Sequence, residues 1–309
     1  MRVRFLVWTV CVLTAGAAAL ASQFSPDGSL LLLELGGAGD GRLAIVRVAE
    51  PDRSVPVGQP DGGPAAAVNG SEASFSPDGK QIVFSSLSGS DSGRPARNLY
   101  IVNVDGSGLR RLTTQGGRSP VWSYDGSFIA YLMPDNKLCR VDPDGGNWRV
   151  LANRIPAQAP LRSLPDGKSY AVPRGSDGRM AWYAFTPPSR HLVRLTPMHT
   201  VPRDAVWPAL SLDGRSVAYL RARPDCWDLL TETAGQAKRR AVFSPDDATG
   251  DPASQGPLSV VWSNDGKSVA VSCYGAVWLV GENGEKVRIG GSNAPGGRAP
   301  APGPAPTAA

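Results

Sequence analysis

The sequence predicts an all-β fold, a six-bladed β-propeller with four antiparallel strands per blade. Three observations carry this. An Asp-Gly turn recurs six times at nearly even spacing. An apolar triplet follows every copy. Glycine and proline together supply 64 of the 309 residues, a content too turn-rich for a helical bundle.

The six turns are Phe24-Ser-Pro-Asp-Gly-Ser29, Phe75-Ser-Pro-Asp-Gly-Lys80, Trp122-Ser-Tyr-Asp-Gly-Ser127, Ser163-Leu-Pro-Asp-Gly-Lys168, Leu210-Ser-Leu-Asp-Gly-Arg215 and Trp262-Ser-Asn-Asp-Gly-Lys267. Their Asp-Gly pairs are Asp27-Gly28, Asp78-Gly79, Asp125-Gly126, Asp166-Gly167, Asp213-Gly214 and Asp265-Gly266. The aspartates stand 51, 47, 41, 47 and 52 residues apart. Proline before Asp presets φ for a type I turn, and Gly takes the left-handed conformation that closes it with a bulge. The aromatic ahead of the turn is expected to point into a core, with the serine beside it bonding the turn backbone.

The triplets are Leu31-Leu32-Leu33, Ile82-Val83-Phe84, Ile129-Ala130-Tyr131, Tyr170-Ala171-Val172, Val217-Ala218-Tyr219 and Val269-Ala270-Val271. Short apolar runs bounded by turns fit strands covered on both faces, and the recurrent central alanine lets neighbouring sheets approach closely. A second hairpin follows in several units. Leu99–Val104 meets Asp105-Gly-Ser-Gly108, Lys137–Val141 meets Pro143-Asp-Gly-Gly146, and Ala276–Val280 meets Glu282-Asn-Gly284. Four strands per 40–50 residues, six times over, is the pattern of a propeller, whose blades cover one another radially. Residues 22–291 give 45 residues per blade. The last unit supplies its own fourth strand, so no strand exchange is expected to lock the ring.

The flanks read differently. Residues 1–21 combine Arg2 and Arg4, an apolar run from Phe5 to Ala21 and an Ala-Leu-Ala ending, the parts of a secretory signal. A 17-residue run is also at the lower limit for an uncleaved membrane anchor. Either way the body is expected to be exported, to the periplasm or the cell surface, touching a membrane only through this segment. Residues 292–309 are rich in Pro, Gly and Ala and read as a disordered tail. The stretch Pro51–Ala73 reads as a long link between the first two units.

Composition excludes several function classes. The net charge of +5 comes from scattered Lys and Arg with no basic run among aromatics, so nucleic acid is not an expected partner. Outside the leader stand Cys139, Cys226 and Cys273, an odd number. A Cys226–Cys273 bridge and three buried thiols are both compatible with that count. With only His191 and His199, little material remains for a zinc cage or histidine-based catalysis. No G-x-S-x-G occurs; Gly89-Ser-Asp-Ser-Gly93 has the wrong order. The six aspartates lie one per unit at identical turn positions, which reads as structure and not as a metal site.

The run Leu112-Thr-Thr-Gln-Gly-Gly-Arg-Ser-Pro-Val-Trp-Ser-Tyr-Asp-Gly126 resembles the propeller repeat of the TolB family. A stretched copy pairs Leu195-Thr196 with Val206-Trp207 and Asp213-Gly214. The resemblance spans residues 22–291 and extends to the gating propeller of prolyl oligopeptidase-type peptidases. TolB-family proteins carry an α/β domain ahead of the propeller, and 21 residues leave no room for it here. The resemblance therefore implies the propeller and leaves Tol-system membership open. Trp-Asp and kelch repeats fit less well: Trp227-Asp228 is a lone pair, and the Gly-Gly pairs lack a once-per-blade spacing.

The resemblance implies that partner peptides dock at the mouth of the central channel. The loops expected there carry Arg118, His199, Arg203, Asp204 and Asp251. Arg118 is the leading candidate because it occupies the polar position just before Pro-x-Trp-Ser. The expected function is a monomeric, non-enzymatic module that binds a protein or peptide segment of the cell envelope without a cofactor. The alternative is a small lactonase- or quinone-dehydrogenase-like propeller enzyme with calcium or a cofactor in the channel.

Overall fold

The computed structural model describes residues 19–35, 41–57, 69–87, 97–153, 155, 161–176, 179–189, 191–194, 205–247 and 259–291. These form six four-stranded sheets, each antiparallel and built from strands consecutive in sequence. The first blade holds β1(Ala19–Phe24), β2(Leu30–Leu35), β3(Arg42–Arg47) and β4(Glu50–Pro56). The second holds β5(Ser71–Phe75), β6(Gln81–Ser86), β7(Asn98–Asn103) and β8(Arg110–Arg111), and the third β9(Arg118–Trp122), β10(Ile129–Leu132), β11(Leu138–Val141) and β12(Arg149–Ala152). Blade four is β13(Arg162–Ser163), β14(Tyr170–Ser176), β15(Arg179–Phe185) and β16(Val193–Arg194). Blade five is β17(Ala205–Leu210), β18(Ser216–Ala222), β19(Trp227–Thr233) and β20(Gln236–Phe243); blade six is β21(Ser259–Trp262), β22(Val269–Cys273), β23(Ala276–Val280) and β24(Lys286–Gly291). First strands of successive blades meet, β1 with β5, β5 with β9, β9 with β13 and β17 with β21, and β21 returns to β1. The ring of the propeller is therefore closed.

Every Asp-Gly pair joins a first strand to a second, and the turn has one mechanism. In blade one Gly28 N donates to Ser25 O at 2.8 Å, and Gly28 stands at a φ of 73°. The other five turn glycines lie between 67° and 74°, the left-handed region that a side chain would strain. The serine hydroxyl does two jobs. Ser25 Oγ donates to Asp27 Oδ1 at 2.5 Å and accepts from Leu30 N at 2.9 Å. Ser76, Ser123, Ser211 and Ser263 hold Asp78, Asp125, Asp213 and Asp265 in the same way, at 2.5–2.7 Å. Blade four has Leu164 at this position, and Asp166 instead accepts from the backbone of Lys168 and Ser169 at 2.9 and 2.7 Å.

The core is a set of six layers, one between each pair of blades. Along each triplet the outer residues face the preceding blade and the central one faces the following blade, as strand alternation requires. Ile129 and Tyr131 thus pack with Val83, Leu99 and Ile101 of blade two, while Ala130 packs with Tyr170, Val172 and Phe185 of blade four. The central alanines Ala130, Ala171, Ala218 and Ala270 are fully buried. Each yields the space that aromatic residues of the next blade fill. Closure follows the same rule: Phe24, Leu31, Leu33 and Val46 pack with Val261, Ala270, Val277 and Ile289. Asn264 Nδ2 adds a 2.8 Å bond to Ser25 O across that seam. No strand is exchanged, as expected.

Three sequence expectations change in detail. The link 51–73 is shorter than its composition suggests, because Pro51–Pro56 belongs to β4 and Ser71–Ala73 to β5. An outer edge strand tolerates proline because its N–H has no ladder partner to lose. Strand β1 begins at Ala19, inside the segment read as a leader, and pairs Ala19 with Leu35. Cys139, Cys226 and Cys273 are free thiols, so the Cys226–Cys273 bridge is not formed, and of the three expected buried thiols Cys139 and Cys273 are buried while Cys226 is half-buried. Burial pushes the Cys139 thiol up to about 11 and Cys273 to about 12. Residues 1–18 and 292–309 lie outside the described residues.

The serine bonds lower the turn carboxylates below the ordinary value of 3.8, Asp27 to about 2 through Ser25 and Ser29. A depressed folded-state value stabilises the fold above the unfolded carboxylate's pKa and loses that contribution as pH falls toward the folded one. Thermal stability should therefore decline between the ordinary carboxylate value of 3.8 and about 2, and Ser25→Ala should move the Asp27 titration, read by carboxyl NMR, back toward 3.8. Ser263→Ala should cost about 1 kcal/mol in urea unfolding. Ala270→Leu, which overfills the closing layer, should cost about 1–3 kcal/mol by the same measurement.

Candidate functional site

Because each blade is antiparallel, the Asp-Gly turns gather at one end of the ring. The leading ends of the first strands, with the second-to-third connections, gather at the other. This second end is the channel mouth. Each first strand is the inner edge of its sheet, so one side of its backbone has no ladder partner. Side chains from neighbouring blades satisfy much of it. Phe75 N donates to Gln23 Oε1 at 2.8 Å and Ala73 N to Glu34 Oε1 at 3.1 Å. Arg162 and Trp262 donate to the carbonyls of Leu210 and Ala209 at 3.3 and 3.0 Å.

Near the mouth the inner strands are bulged. Glu72, Ser119 and Trp207 each stand three residues before the residue that opens the turn, and each has left-handed φ, at 54°, 49° and 54°. The pairing register slips beside each of them. A left-handed bulge at a non-glycine residue re-aims its side chain away from the alternation of the strand, and such strain gathers at functional positions. Trp207 is left 50% exposed.

Glu72 is the centre of a polar network across blades two and three. Its Oε2 accepts from Ser119 N at 2.8 Å and from Ser85 Oγ at 3.0 Å, and its Oε1 accepts from Ser119 Oγ at 3.1 Å. Arg97, just ahead of β7, donates to Ser85 Oγ at 3.1 Å and also bonds Ser71 Oγ. Asn98 Oδ1 accepts from Gly116 N at 3.1 Å, and Thr113 Oγ1 from Leu99 N at 3.0 Å, which fixes the loop leading into β9. Arg118 follows, half-buried, with Nη2 donating to Asn136 Oδ1 at 2.6 Å. Asn136 sits in the second-to-third turn of blade three, and its bond holds Arg118 at this end of the ring.

His199, Arg203, Asp204 and Asp251 lie outside the described residues. His191 is exposed ahead of β16, with its backbone N–H bonding Ser189 Oγ at 3.1 Å. Among the described residues no group of three His, Cys, Asp or Glu side chains could hold a metal ion. The mouth offers a fixed carboxylate, two guanidinium groups, serine hydroxyls and an exposed indole, which suit reversible polar recognition. Sequence reasoning missed Glu72, Arg97, Ser119 and Trp207. Aligning the repeats on their turns would have placed Glu72, Ser119 and Trp207 in one column, although not their left-handed φ.

The TolB beta propeller domain family matches residues 10–210 of the chain. Among curated proteins, dipeptidyl-peptidase 5 of Porphyromonas endodontalis is 42% identical over 89 residues, which are 27% of this chain and only 13% of that peptidase. Of the solved structures, a TolB candidate from Agrobacterium tumefaciens is 17% identical with a TM-score of 0.53, covering 87% of this chain and 92% of that one. TolB from Acinetobacter baumannii is 17% identical with a TM-score of 0.50; the likeness covers 72% of this chain and about half, 54%, of that one. At these identities the solved structures show the fold alone.

The Glu72 network should be measurable as stability. Ser119 is 4% exposed, so Glu72→Ala leaves a buried N–H without its acceptor. The expected cost is about 2 kcal/mol in urea unfolding, with Glu72→Gln much milder because an amide oxygen still accepts. Arg118→Ala should change stability by less than about 1 kcal/mol, as expected of a surface polar pair.

Proposed function

The chain belongs to the TolB β-propeller family, and from that premise we propose that it is an exported, non-enzymatic interaction module that binds a protein segment at its channel mouth. The observation that carries this reading is the bulged inner rim. Glu72, Ser119 and Trp207 are turned out of strand alternation at equivalent positions, while Arg118, next to Ser119, is fixed by Asn136. Holding these groups in place before a ligand arrives lowers the ordering cost of binding. Tryptophan and arginine, both present on this rim, are the residue types enriched at the energetic centres of protein interfaces.

Export is supported by the residues ahead of the propeller. Removal of the leader after Ala21 would take three of the six residues of β1, whereas retention as a tether keeps the inner strand whole. Among the described residues no helix is long and apolar enough to cross a membrane. The match to a peptidase covers too little of that protein to carry its activity here.

Chemical cross-linking of a tagged full-length chain in its source cells, followed by mass spectrometry, tests the reading. One dominant protein partner is expected, lost when Arg118→Ala and Trp207→Ala are combined while the purified double variant keeps its thermal midpoint. No specific partner, together with stoichiometric calcium on the purified chain, would replace the interaction module with the channel-enzyme reading.

A further inference from the structure

Between blades two and three the mouth end carries a closed circuit of hydrogen bonds with two arginines on it. Arg97 Nη1 donates to Ser85 Oγ at 3.1 Å, Ser85 Oγ donates to Glu72 Oε2 at 3.0 Å, and the same oxygen accepts from Ser119 N at 2.8 Å. Arg118 is the residue before Ser119, and Gly117 N, one residue earlier, donates to Arg97 O at 2.8 Å. The circuit thus returns to Arg97. Its centre is sealed: Ser85 is fully buried and Ser119 nearly so, while Arg97 and Arg118 stand half-buried at its edge.

The charges on this circuit do not balance. Both oxygens of Glu72 are used within it, Oε2 by Ser119 N and Ser85 Oγ and Oε1 by Ser119 Oγ. Arg97 meets only neutral oxygens, the hydroxyls of Ser85 and Ser71, and Arg118 meets only the Asn136 amide oxygen at 2.6 Å. The other half-buried cations among the described residues are each answered. Lys137, Arg140 and Lys286 have Asp135, Asp142 and Asp247 at 2.6, 2.7 and 2.9 Å. Arg162 and Arg240 lie over the rings of Trp182 and Trp262 at 5.5 and 5.2 Å. Arg97 and Arg118 have neither a carboxylate nor a ring. Asp135, beside Asn136, is already taken by Lys137.

The unmatched charge is also accessible. A guanidinium carries five N–H donors in a fixed fork that fits a carboxylate at two points. Nε and Nη2 of Arg97 and Nε and Nη1 of Arg118 have no partner among the described residues, and none of them is shut off from solvent. Two cations are therefore anchored through neutral groups, with the donors that suit an anion left open.

We propose that Arg97 and Arg118 recognise a carboxylate of the partner protein segment, so that the mouth selects acidic side chains or a free C-terminus. This inference rests on the interaction-module reading and supplies the chemistry of its partner. An ionised acceptor makes the stronger hydrogen bond with a guanidinium than the hydroxyls and amide now present. Glu72 is then a positioning residue, which holds Ser85 and Ser119 and through them the two arginines. Anchoring two long side chains before the ligand arrives lowers the ordering cost of binding.

The test selects peptides on the immobilised full chain from two random libraries, one with free and one with amidated C-termini, and measures affinities by fluorescence anisotropy. The selected peptides should carry a carboxylate whose conversion to the amide weakens binding about tenfold. A glutamate or aspartate recurring in both libraries assigns a side chain; selection from the free-terminus library alone assigns the C-terminus. In Arg97→Gln and Arg118→Gln the acid and its amide should bind alike. Arg118→Gln, whose native partner is a surface amide, carries the test if Arg97→Gln does not fold. Arg149→Gln, at an exposed arginine of β12, should leave the affinity unchanged, and an equal loss there would show a general charge effect and overturn the proposal. Peptides that lose affinity with Trp207→Ala yet are indifferent to amidation would overturn it and leave the interaction module standing. No selected peptide, or peptides indifferent to Trp207→Ala and Arg118→Gln alike, would overturn both.

Discussion

A sheet that is apolar on both faces can be buried only by another sheet on each side, and the rest of this structure follows from that requirement. Leu32, Val83, Ala130, Ala171, Ala218 and Ala270 face one neighbour while the residues beside them face the other. No blade has a face left for solvent, so the stack must curve back on itself. The closing layer of Phe24 and Leu31 against Val261 and Ile289 is built like every other layer. Apolar burial of this kind is proportional to area and needs no directional lock, which is why the ring closes without an exchanged strand.

Using both faces for packing leaves only edges and ends for polar work. The inner edge is the more demanding, because unpaired backbone groups there lie close to a ring of other strands. Gln23, Glu34, Glu72 and Arg162 meet that demand by reaching from one blade to the next. Their bonds join blades along the inner edge of the ring much as the apolar layers join them deeper down. The two ends then differ chemically. One repeats a serine–aspartate–glycine turn, and the other has bulges whose side chains vary from blade to blade.

That difference explains what was legible in the sequence. A turn that needs Asp to accept, Gly to take positive φ and Ser to bridge leaves a residue pattern, so blade number and spacing could be read directly. The triplets were equally plain, because alternation between two buried faces allows almost no polar residue. The mouth left no such pattern. Glu72, Ser119 and Trp207 share a backbone conformation and nothing in side-chain type, since a bulge is a property of register. Arg118 was found only because its neighbours Pro120 and Trp122 follow the repeat. The edge strand β4 was hidden for a related reason: Pro51 and Pro56 look like a linker until an unpaired outer edge makes them harmless.

A repeat also sharpens the meaning of its exceptions. Positions that every blade shares are explained by the ring, and the six aspartates are first of all turn formers. Where one blade departs, the ring no longer explains the residue. Blade four replaces the turn serine with Leu164, and its inner strand carries Arg162 where blade one carries Gln23. Arg162 repays this departure internally, with its guanidinium over the Trp182 ring at 5.5 Å and a bond to the next blade. Trp122 departs from Trp262 too: its indole N–H, like that of Trp182, is buried without a partner among the described residues. A departure that satisfies itself is a local solution of the fold.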